Sequence, residues 1–419
     1  MPHWKIRLSL FLNYFVFAIL LNSVGTVILQ VQSNFGVSES SASVLEAFKD
    51  LSIAAVSFLV ASYIVRIGYK NAMLFALGFI ALVCLLMPSL SSFAMTKLLF
   101  AATGTCFALI KVSVYATIGI ITTDKKDHAS FMNFIESFFM VGILTGYFIF
   151  SIFVDDQQPQ STAWFKVYYL LAGIALVAFF LLLSTTLDES SVKNSSPKPI
   201  TQDFIEMIKL AALPLVLIFV ASAFIYVLIE QSIMSWLPTF NSKVLQLPTT
   251  LSIQMASILA ASTALGRFFA GIALKKVHWF NVLMGCLLAA GVLVFIAIPL
   301  AQKTAAPVTG WGNAPLGAFV FPMIGLFLAP IYPAINSVIL STLPKPQHGP
   351  MSGLIVIFSA LGGTTGSIIT GNIFEAFGGE TAFYFSLVPM GMLLVLLFFF
   401  NRIQKKSEAP VSFAPTAGH

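Results

Sequence analysis

The run Leu393-Leu394-Val395-Leu396-Leu397-Phe398-Phe399-Phe400 lies near the end of the chain and contains no polar residue. A strand of a membrane β-barrel alternates apolar and polar residues over about 10 residues, and this run does not alternate. A helix needs about 20 mostly apolar residues to cross the hydrocarbon core of a bilayer. The surrounding stretch, residues 381–401, is that long, so it predicts a transmembrane helix.

Composition extends this prediction to the whole chain of 419 residues. Hydrophobic residues make up 58% of the chain and charged residues only 9%, whereas a soluble globular domain averages about 25% charged residues. A soluble protein of this size needs a charged surface that these residues cannot provide. The composition therefore predicts an integral membrane protein.

Twelve apolar stretches are long enough to cross a bilayer, and we number them spans 1 to 12. They are residues 8–31, 42–65, 71–90, 94–122, 129–153, 163–186, 210–239, 250–274, 279–300, 314–342, 350–376 and 381–401. We therefore expect an all-α polytopic membrane protein with 12 transmembrane helices.

The longest polar interruption runs from Asp188 to Asp203, between spans 6 and 7, and is typical of a flexible linker. It divides the spans into two bundles of six helices. Phe204–Lys209 could form a short helical turn at the membrane interface. The expected domains are an N-terminal six-helix bundle, 1–187; a cytoplasmic linker, 188–208; a C-terminal six-helix bundle, 209–402; and a cytoplasmic tail, 403–419.

The Lys and Arg residues of the loops and span ends are unevenly distributed, with fifteen on one side of the membrane and four on the other. The four are Lys97, Lys166, Lys243 and Lys303. Because cytoplasmic loops carry the excess of Lys and Arg, we expect the richer side and both termini to face the cytoplasm of an inner membrane. The fifteen cations are spread over seven segments, which argues against a nucleic-acid partner.

Motifs for enzyme chemistry are missing from the sequence. There is no Gly-x-x-x-x-Gly-Lys-Ser/Thr phosphate loop, and no His, Cys and carboxylate residues have metal-site spacing. Cys84, Cys106 and Cys286 lie within spans, where we expect them to pack. We therefore predict no catalytic residue, cofactor or metal. The favoured class is a secondary active transporter, with a membrane sensor or membrane enzyme as the alternative class.

Besides Lys97 and Lys166, in the first turns of spans 4 and 6, eight ionisable residues fall within the predicted spans. They are Glu46, Lys49, Asp50, Lys111, Glu136, Glu230, Arg267 and Glu375. A charge at the centre of a bilayer costs about 2.5–3.5 kcal/mol on insertion scales. Each of these residues should therefore face a cavity or a partner, although Glu375 is close enough to a span end to reach water.

Three of the eight lie on span 2, where spacings of three and four place them on one helical face. Glu46 can pair with Lys49, and Asp50 lies about 6 Å deeper than Glu46. The face is either part of a transport pathway with a titratable carboxylate or an internal salt bridge that neutralises itself.

Lys111, Glu136 and Arg267 each leave two interpretations open. Lys111 lies near the middle of span 4, one turn from Tyr115, and either binds substrate or is the counter-ion of Asp50 or Glu46. Glu136 either carries a proton or is the inner-gate partner of Arg267. Because Arg stays protonated, Arg267 is not a proton carrier; it either belongs to an inner gate or ion pair, which is favoured, or binds substrate.

The turn between spans 2 and 3 resembles the signature of the major facilitator superfamily, which has a Gly, an Asp-Arg pair, a second Gly and further basic residues. Arg66, Gly68 and Lys70 match this signature, whereas Val65 stands at the Asp position. A weaker copy, Gly271–His278, follows span 8. The resemblance implies two related six-helix halves and a gating role for Arg66 and Lys70.

Within that superfamily the chain is most similar to the fucose:proton symporter type. The matching passages are Tyr226-Val227-x-x-Glu230, Tyr332-Pro333-x-Ile335-x-Ser337, Ser352–Val356 with Gly362-Gly363, and Asn133-x-x-Glu136-Ser137-Phe138 with Gly142. This resemblance implies proton-coupled movement of a sugar. The chain departs from these symporters at Gly25, where they have an Asp, and at Lys111, where they have a Glu.

These observations define the candidate site. We expect substrate binding by Asn22, Lys49, Lys111, Tyr115, Tyr226, Glu230, Gln231 and Asn336; proton coupling by Glu46, Asp50, Glu136 and Glu230; and gating by Arg66, Lys70 and Arg267. The expected partners are a small polar solute, a proton or other coupling ion and the lipid bilayer, with the chain as a monomer. A sugar is favoured, although the mixed charges suit an anion or a zwitterion equally. The alternative transport function is broad efflux of amphipathic compounds.

Overall fold

The structure is a computed structural model that describes residues 4–122, 125–187, 189, 200–301, 308–343 and 347–408. Every regular element within those ranges is a helix. Eleven segments are long and apolar enough to cross a membrane by length and composition. With span 2 added, the described part of the chain has the expected 12 transmembrane helices in two six-helix bundles, and the predicted fold class is confirmed.

Span 2 is not among the eleven, but it too can cross a membrane. Its helix, Glu39–Ile67, is 29 residues long, which corresponds to about 43 Å and is ample for a bilayer. It carries Glu46, Lys49 and Asp50 in its first half.

Spans 1 to 6 form the N half. Its helices are α1 Trp4–Asn22, α2 Val24–Phe35, α3 Glu39–Ile67, α4 Tyr69–Leu86, α5 Phe93–Ile121, α6 Lys125–Ile152 and α7 Val167–Leu183. Helices α1 and α2 together make span 1. Around the break at Ser23, the Asn22 amide donates to the carbonyl of Ala18 and the Ser23 hydroxyl donates to that of Leu20, a type of side-chain bonding that often accompanies bends.

Spans 7 to 12 form the C half. Its helices are α8 Ile200–Ala211, α9 Pro214–Met234, α10 Leu237–Lys243, α11 Thr249–Ala273, α12 Trp279–Ala301, α13 Leu316–Val320, α14 Ile324–Leu328, α15 Ile331–Thr342, α16 His348–Phe377, α17 Gly379–Phe385 and α18 Leu387–Glu408. Span 7 combines α9 and α10, span 10 combines α13 to α15, and span 12 combines α17 and α18.

The predicted boundaries differ most from the structure in span 1 and around the start of span 7. Span 1 extends from Trp4 to Phe35 rather than over 8–31. The second part of the predicted linker forms α8, Ile200–Ala211, which is longer than the single turn expected at Phe204–Lys209. Span 7 consequently starts at Pro214 rather than at 210. Residues 188 and 190–199 of the linker lie outside the described residues.

The two sides of the bundle can be told apart by their turns. The backbone amide of Lys70, after span 2, donates a hydrogen bond to Glu189, just after span 6. We call this the linker side. On the other side, the far side, Asn34 at the end of span 1 donates to the carbonyl of Ser161, between spans 5 and 6.

Hydrogen bonds join the two halves on the far side. The Ser40 amide donates to Glu375 at 2.9 Å, the Thr250 amide donates to Asp156 at 2.9 Å, and Lys243 donates to Gln32 at 2.7 Å. Lys243 also pairs with Glu39. Span 2 packs along span 11 and span 5 along span 8. The halves are therefore closed against each other on the far side.

Candidate functional site

The charged face of span 2 forms a buried triad. Lys49 Nζ pairs with Glu46 Oε1 and lies 3.4 Å from Asp50 Oδ1. The exposed fractions of Glu46, Lys49 and Asp50 are 0%, 6% and 7%. Two carboxylates therefore share one ammonium away from water, so the triad has one negative charge in excess unless a proton is bound.

The triad lies at the interface between the halves. The Ser235 hydroxyl of span 7 donates to Glu46 Oε2 at 2.7 Å. On span 11, a Cβ added to Gly363 would collide with the Asp50 carboxylate and would lie 3.2 Å from Cγ of Gln231. The C half thus covers both carboxylates, and any separation of the halves here would change their surroundings.

A small cavity beside the triad brings together three of the predicted substrate-binding residues. Asn22, Lys49 and Gln231 all line it, with Ser235. Its volume of about 10 Å³ is roughly the room for one water molecule. These residues therefore meet at the interface between the halves, but in this conformation they enclose no space for a solute.

Gly25, at the position where the fucose symporter type has an Asp, lies next to this cavity. A Cβ at Gly25 would be only 2.8 Å from the carbonyl oxygen of Ser235, which is closer than real Cβ atoms approach. Spans 1 and 7 are therefore packed backbone to backbone at this point, and no carboxylate fits there. The two buried carboxylates, Glu46 and Asp50, are instead on span 2.

In the C half, span 7 carries a carboxylate and tyrosine pair. The Tyr226 hydroxyl donates to Glu230 Oε1 at 2.9 Å. The Tyr226 ring stacks on Tyr332 of span 10, with centroids 5.6 Å apart, and the Tyr332 hydroxyl is 2.8 Å from that of Ser359 on span 11. Asn336 lies beside the Tyr332 hydroxyl.

Tyr332 and Ser359 are site residues that the sequence prediction did not include. Tyr332 could have been found, because it begins the Tyr-Pro motif of span 10. Ser359 has no sequence feature that distinguishes it from other serines within spans, so only the structure reveals it.

Arg267 of span 8 points to the same region. Its side chain is exposed, and it acts electrostatically on both Tyr226 and Glu230. Lys49 is the other cation that acts on Glu230. The neighbour of Arg267 is thus Glu230, and the expected inner-gate pairing of Arg267 with Glu136 is not what this conformation presents.

The N half carries a second carboxylate and tyrosine pair. The Tyr115 hydroxyl of span 4 donates to Glu136 Oε1 of span 5 at 2.6 Å, and the Tyr14 ring of span 1 lies 6.3 Å from that of Tyr115. Lys111, one turn before Tyr115, is exposed and acts electrostatically on Glu136. Asp50 and Glu46 contact Lys49, so the counter-ion role considered for Lys111 belongs to Lys49.

The predicted gating residue Lys70 is tied within the N half. Its backbone amide donates to Glu189 Oε1 at 2.8 Å, and its ammonium donates to the carbonyls of Thr185 and Leu183 at the end of span 6. Gly68 supplies the turn, with a φ of +89° that favours glycine. Lys70 therefore stabilises this turn, while the side chain of Arg66 lies outside the described part of the protein.

Two helical halves with buried polar residues between them are typical of a membrane transporter. The family model of the Major Facilitator Superfamily matches residues 10–324. The chain belongs to the major facilitator superfamily.

Individual proteins are similar to this chain over nearly its whole length. A TsgA homolog of Buchnera aphidicola subsp. Acyrthosiphon pisum is 20% identical over 394 residues, covering 93% of each chain. A bacterial homolog of the human lysosomal transporter Spinster, in an inward-facing and occupied conformation, has a TM-score of 0.79 at 15% identity, covering 97% of this chain and 98% of its own.

The Escherichia coli fucose:proton symporter is also among the similar structures, as the motifs predicted. Its TM-score is 0.61 at 15% identity, with 96% of this chain and 99% of the symporter covered. At this identity the likeness establishes the fold, and the residues of this chain must carry any argument about its substrate.

Proposed function

We propose that the protein is a proton-coupled secondary transporter that moves a small polar solute across the cytoplasmic membrane by alternating access. The observation that carries the proposal is the hydrogen bond from Ser235 to Glu46, which joins the halves at a buried carboxylate. Alternating access requires the halves to rock about a central site. A titratable group at their interface is therefore placed to link protonation to rocking.

Charge balance supports the coupling. The ionisable side chains that lie deep in the spans are Glu46, Asp50, Glu136, Glu230, Lys49, Lys111 and Arg267. Four carboxylates thus accompany three cations, and one proton makes the set neutral. Because a net charge inside a bilayer is costly, the far-side-closed state should hold a proton, and Asp50 or Glu46 is the proposed carrier because these two share one ammonium.

The proposed cycle follows from this placement. When the halves separate on the far side, the Ser235 bond breaks and water reaches Glu46 and Asp50, which can then exchange a proton with that side. When the halves close, the triad is buried again and the proton is carried with the solute. Glu136 and Glu230, each held by a tyrosine, are the proposed proton sites nearer the solute.

The excess of Lys and Arg on the linker side supports a cytoplasmic location for that side. On this proposal both termini are cytoplasmic, and the side that is closed in this structure faces away from the cytoplasm. The two bundles, 1–187 and 209–402, rock about the central site, the linker 188–208 and the tail 403–419 are cytoplasmic, and the chain acts as a monomer. A sugar or related solute is favoured because the motifs of spans 5, 7, 10 and 11 resemble those of a fucose:proton symporter.

Transport into reconstituted vesicles under an imposed pH gradient tests the function. We expect a solute from a panel of labelled sugars and sugar acids to accumulate when the outside is acidic, and accumulation to stop when a protonophore dissipates the gradient. Accumulation that is indifferent to the protonophore would remove the coupling from the proposal. Empty vesicles and vesicles with Asp50→Asn protein are the matched controls.

A further inference from the structure

Two of the three cations deep in the spans form no ion pair among the described residues. Lys49 pairs with Glu46 and Asp50, and Lys243 pairs with Glu39. Lys111 and Arg267 are exposed, and neither forms an ion pair with a described carboxylate. A cation inside a membrane bundle normally has a partner, so the missing partner is a candidate ligand.

The nearby carboxylates are already held. Glu136 accepts the Tyr115 hydroxyl at 2.6 Å and Glu230 accepts the Tyr226 hydroxyl at 2.9 Å. Each half thus repeats one arrangement: a tyrosine bonded to a carboxylate, with an exposed cation within electrostatic range. The tyrosines fix the carboxylates, and neither cation is held by a carboxylate; the Lys111 ammonium lies over the Phe107 ring, 6.0 Å from its centroid.

The depths of the two cations are compatible with one solute. Lys111 is ten residues before Ile121, the linker-side end of its helix, and Arg267 is six residues before Ala273. At a rise of 1.5 Å per residue these positions lie about 15 Å and about 9 Å from the linker-side ends. The offset of about 6 Å along the axis is within the reach of two long side chains.

We propose that Lys111 of the N half and Arg267 of the C half bind the carboxylate of a monoanionic, hydroxylated solute such as a sugar acid. This inference rests on the proposed function and narrows its substrate. A guanidinium binds a carboxylate in a bidentate manner, and the tyrosine and asparagine groups of spans 4, 7 and 10 suit hydroxyls. A monoanion that enters with one proton brings no net charge into the site.

Binding of matched acid and neutral pairs tests the inference. The purified protein is titrated with D-glucuronate and D-glucose, D-galacturonate and D-galactose, and D-gluconate and D-glucitol, at constant ionic strength, with thermal stability as the readout. We expect at least one acid to stabilise the protein at concentrations about tenfold below those its neutral partner needs, a difference of about 1.4 kcal/mol.

Four variants show whether the two cations are responsible. Lys111→Gln and Arg267→Gln should each weaken binding of that acid about tenfold or more. The controls Lys97→Gln, on the same helix as Lys111, and Lys275→Gln, just after the helix of Arg267, should leave it unchanged. The inference is overturned if every acid binds no better than its neutral partner. It is also overturned if the acid binds Lys111→Gln and Arg267→Gln protein as tightly as wild type. If a neutral sugar is moved with protons in the vesicles, the proposed function survives while this inference fails.

Discussion

Ser235 of span 7 donates a hydrogen bond of 2.7 Å to Glu46 of span 2, and this bond crosses between the two halves of the transporter. Glu46 is fully buried and also pairs with Lys49. The conformation of the halves and the electrostatic state of Glu46 are therefore linked through one carboxylate group. Any motion that opens the far side must break this bond and expose the triad.

Removal of the shared ammonium should destabilise the far-side-closed state. Lys49→Met leaves Glu46 and Asp50 buried without their cation, and breaking a buried ion pair by removing one partner costs about 3–5 kcal/mol. Because protonation of the carboxylates at low pH removes the buried negative charge, the fall in melting temperature should be larger at about pH 8 than at about pH 5. Thermal unfolding in detergent over that range measures this.

The matched control for Lys49→Met removes both charges of the closest pair. Lys49→Met combined with Glu46→Gln should recover part of the lost stability, because only Asp50 is then left without a cation. If the single variant loses the same stability at every pH, or the double variant is the weaker of the two, the triad does not hold uncompensated charge.

Substitution of Gly25 should open the far side. In Gly25→Ala the new methyl group would meet the Ser235 carbonyl at 2.8 Å, and overpacking of this kind costs about 1–3 kcal/mol. The strain exists only where spans 1 and 7 are in contact, so the equilibrium should shift towards the far-side-open state. Labelling of a cysteine at position 375 by a membrane-impermeant maleimide should then be faster.

Gly173→Ala is the control for Gly25→Ala. Gly173 lies within α7 and nothing lies within 4 Å of a Cβ added there. Alanine should therefore be neutral or should stabilise the helix by about 0.5–1 kcal/mol, with no change in labelling. Equal labelling of the two variants would show that the contact between Gly25 and Ser235 does not hold the far side closed.

A reversible cross-link on the far side should stop transport. Ser40 and Glu375 belong to different halves and are joined by a hydrogen bond of 2.9 Å. With Cys84, Cys106 and Cys286 replaced by Ala, a short methanethiosulfonate cross-linker between Ser40→Cys and Glu375→Cys should block uptake, and reduction should restore it. The pair Asn34→Cys and Ser161→Cys lies within the N half, and its cross-link should leave uptake active. Continued uptake while Ser40→Cys and Glu375→Cys are cross-linked would be incompatible with rocking of the two halves.

Much of the fold follows from the sequence because a bilayer imposes strict length and hydropathy requirements. The apolar stretches predicted all twelve spans, and the motifs predicted the family. The ends of span 1 and the extent of α8 were less predictable, because amphipathic helical turns at a membrane surface do not need a fully apolar sequence.

Individual residues of the candidate site were predictable from the sequence, but which charged residues lie next to each other was not. Helical spacing alone indicates that Glu46, Lys49 and Asp50 share a face. It does not indicate that Arg267 lies near Glu230 rather than Glu136, because that depends on how spans 7 and 8 pack. Likewise, only the structure shows that the backbone of Gly25 contacts that of Ser235, which leaves no room for a carboxylate at this position of span 1.

Solute-driven proton movement tests the central claim most directly. Vesicles that contain a pH-sensitive dye and wild-type protein should acidify when the transported solute is added outside, whereas vesicles with Asp50→Asn or Glu46→Gln protein should exchange labelled solute with little or no acidification. That result would show that the carboxylates covered by Ser235 and Gly363 couple protons to transport. Full acidification in both variants, or solute uptake by the wild type with no proton movement, would contradict it.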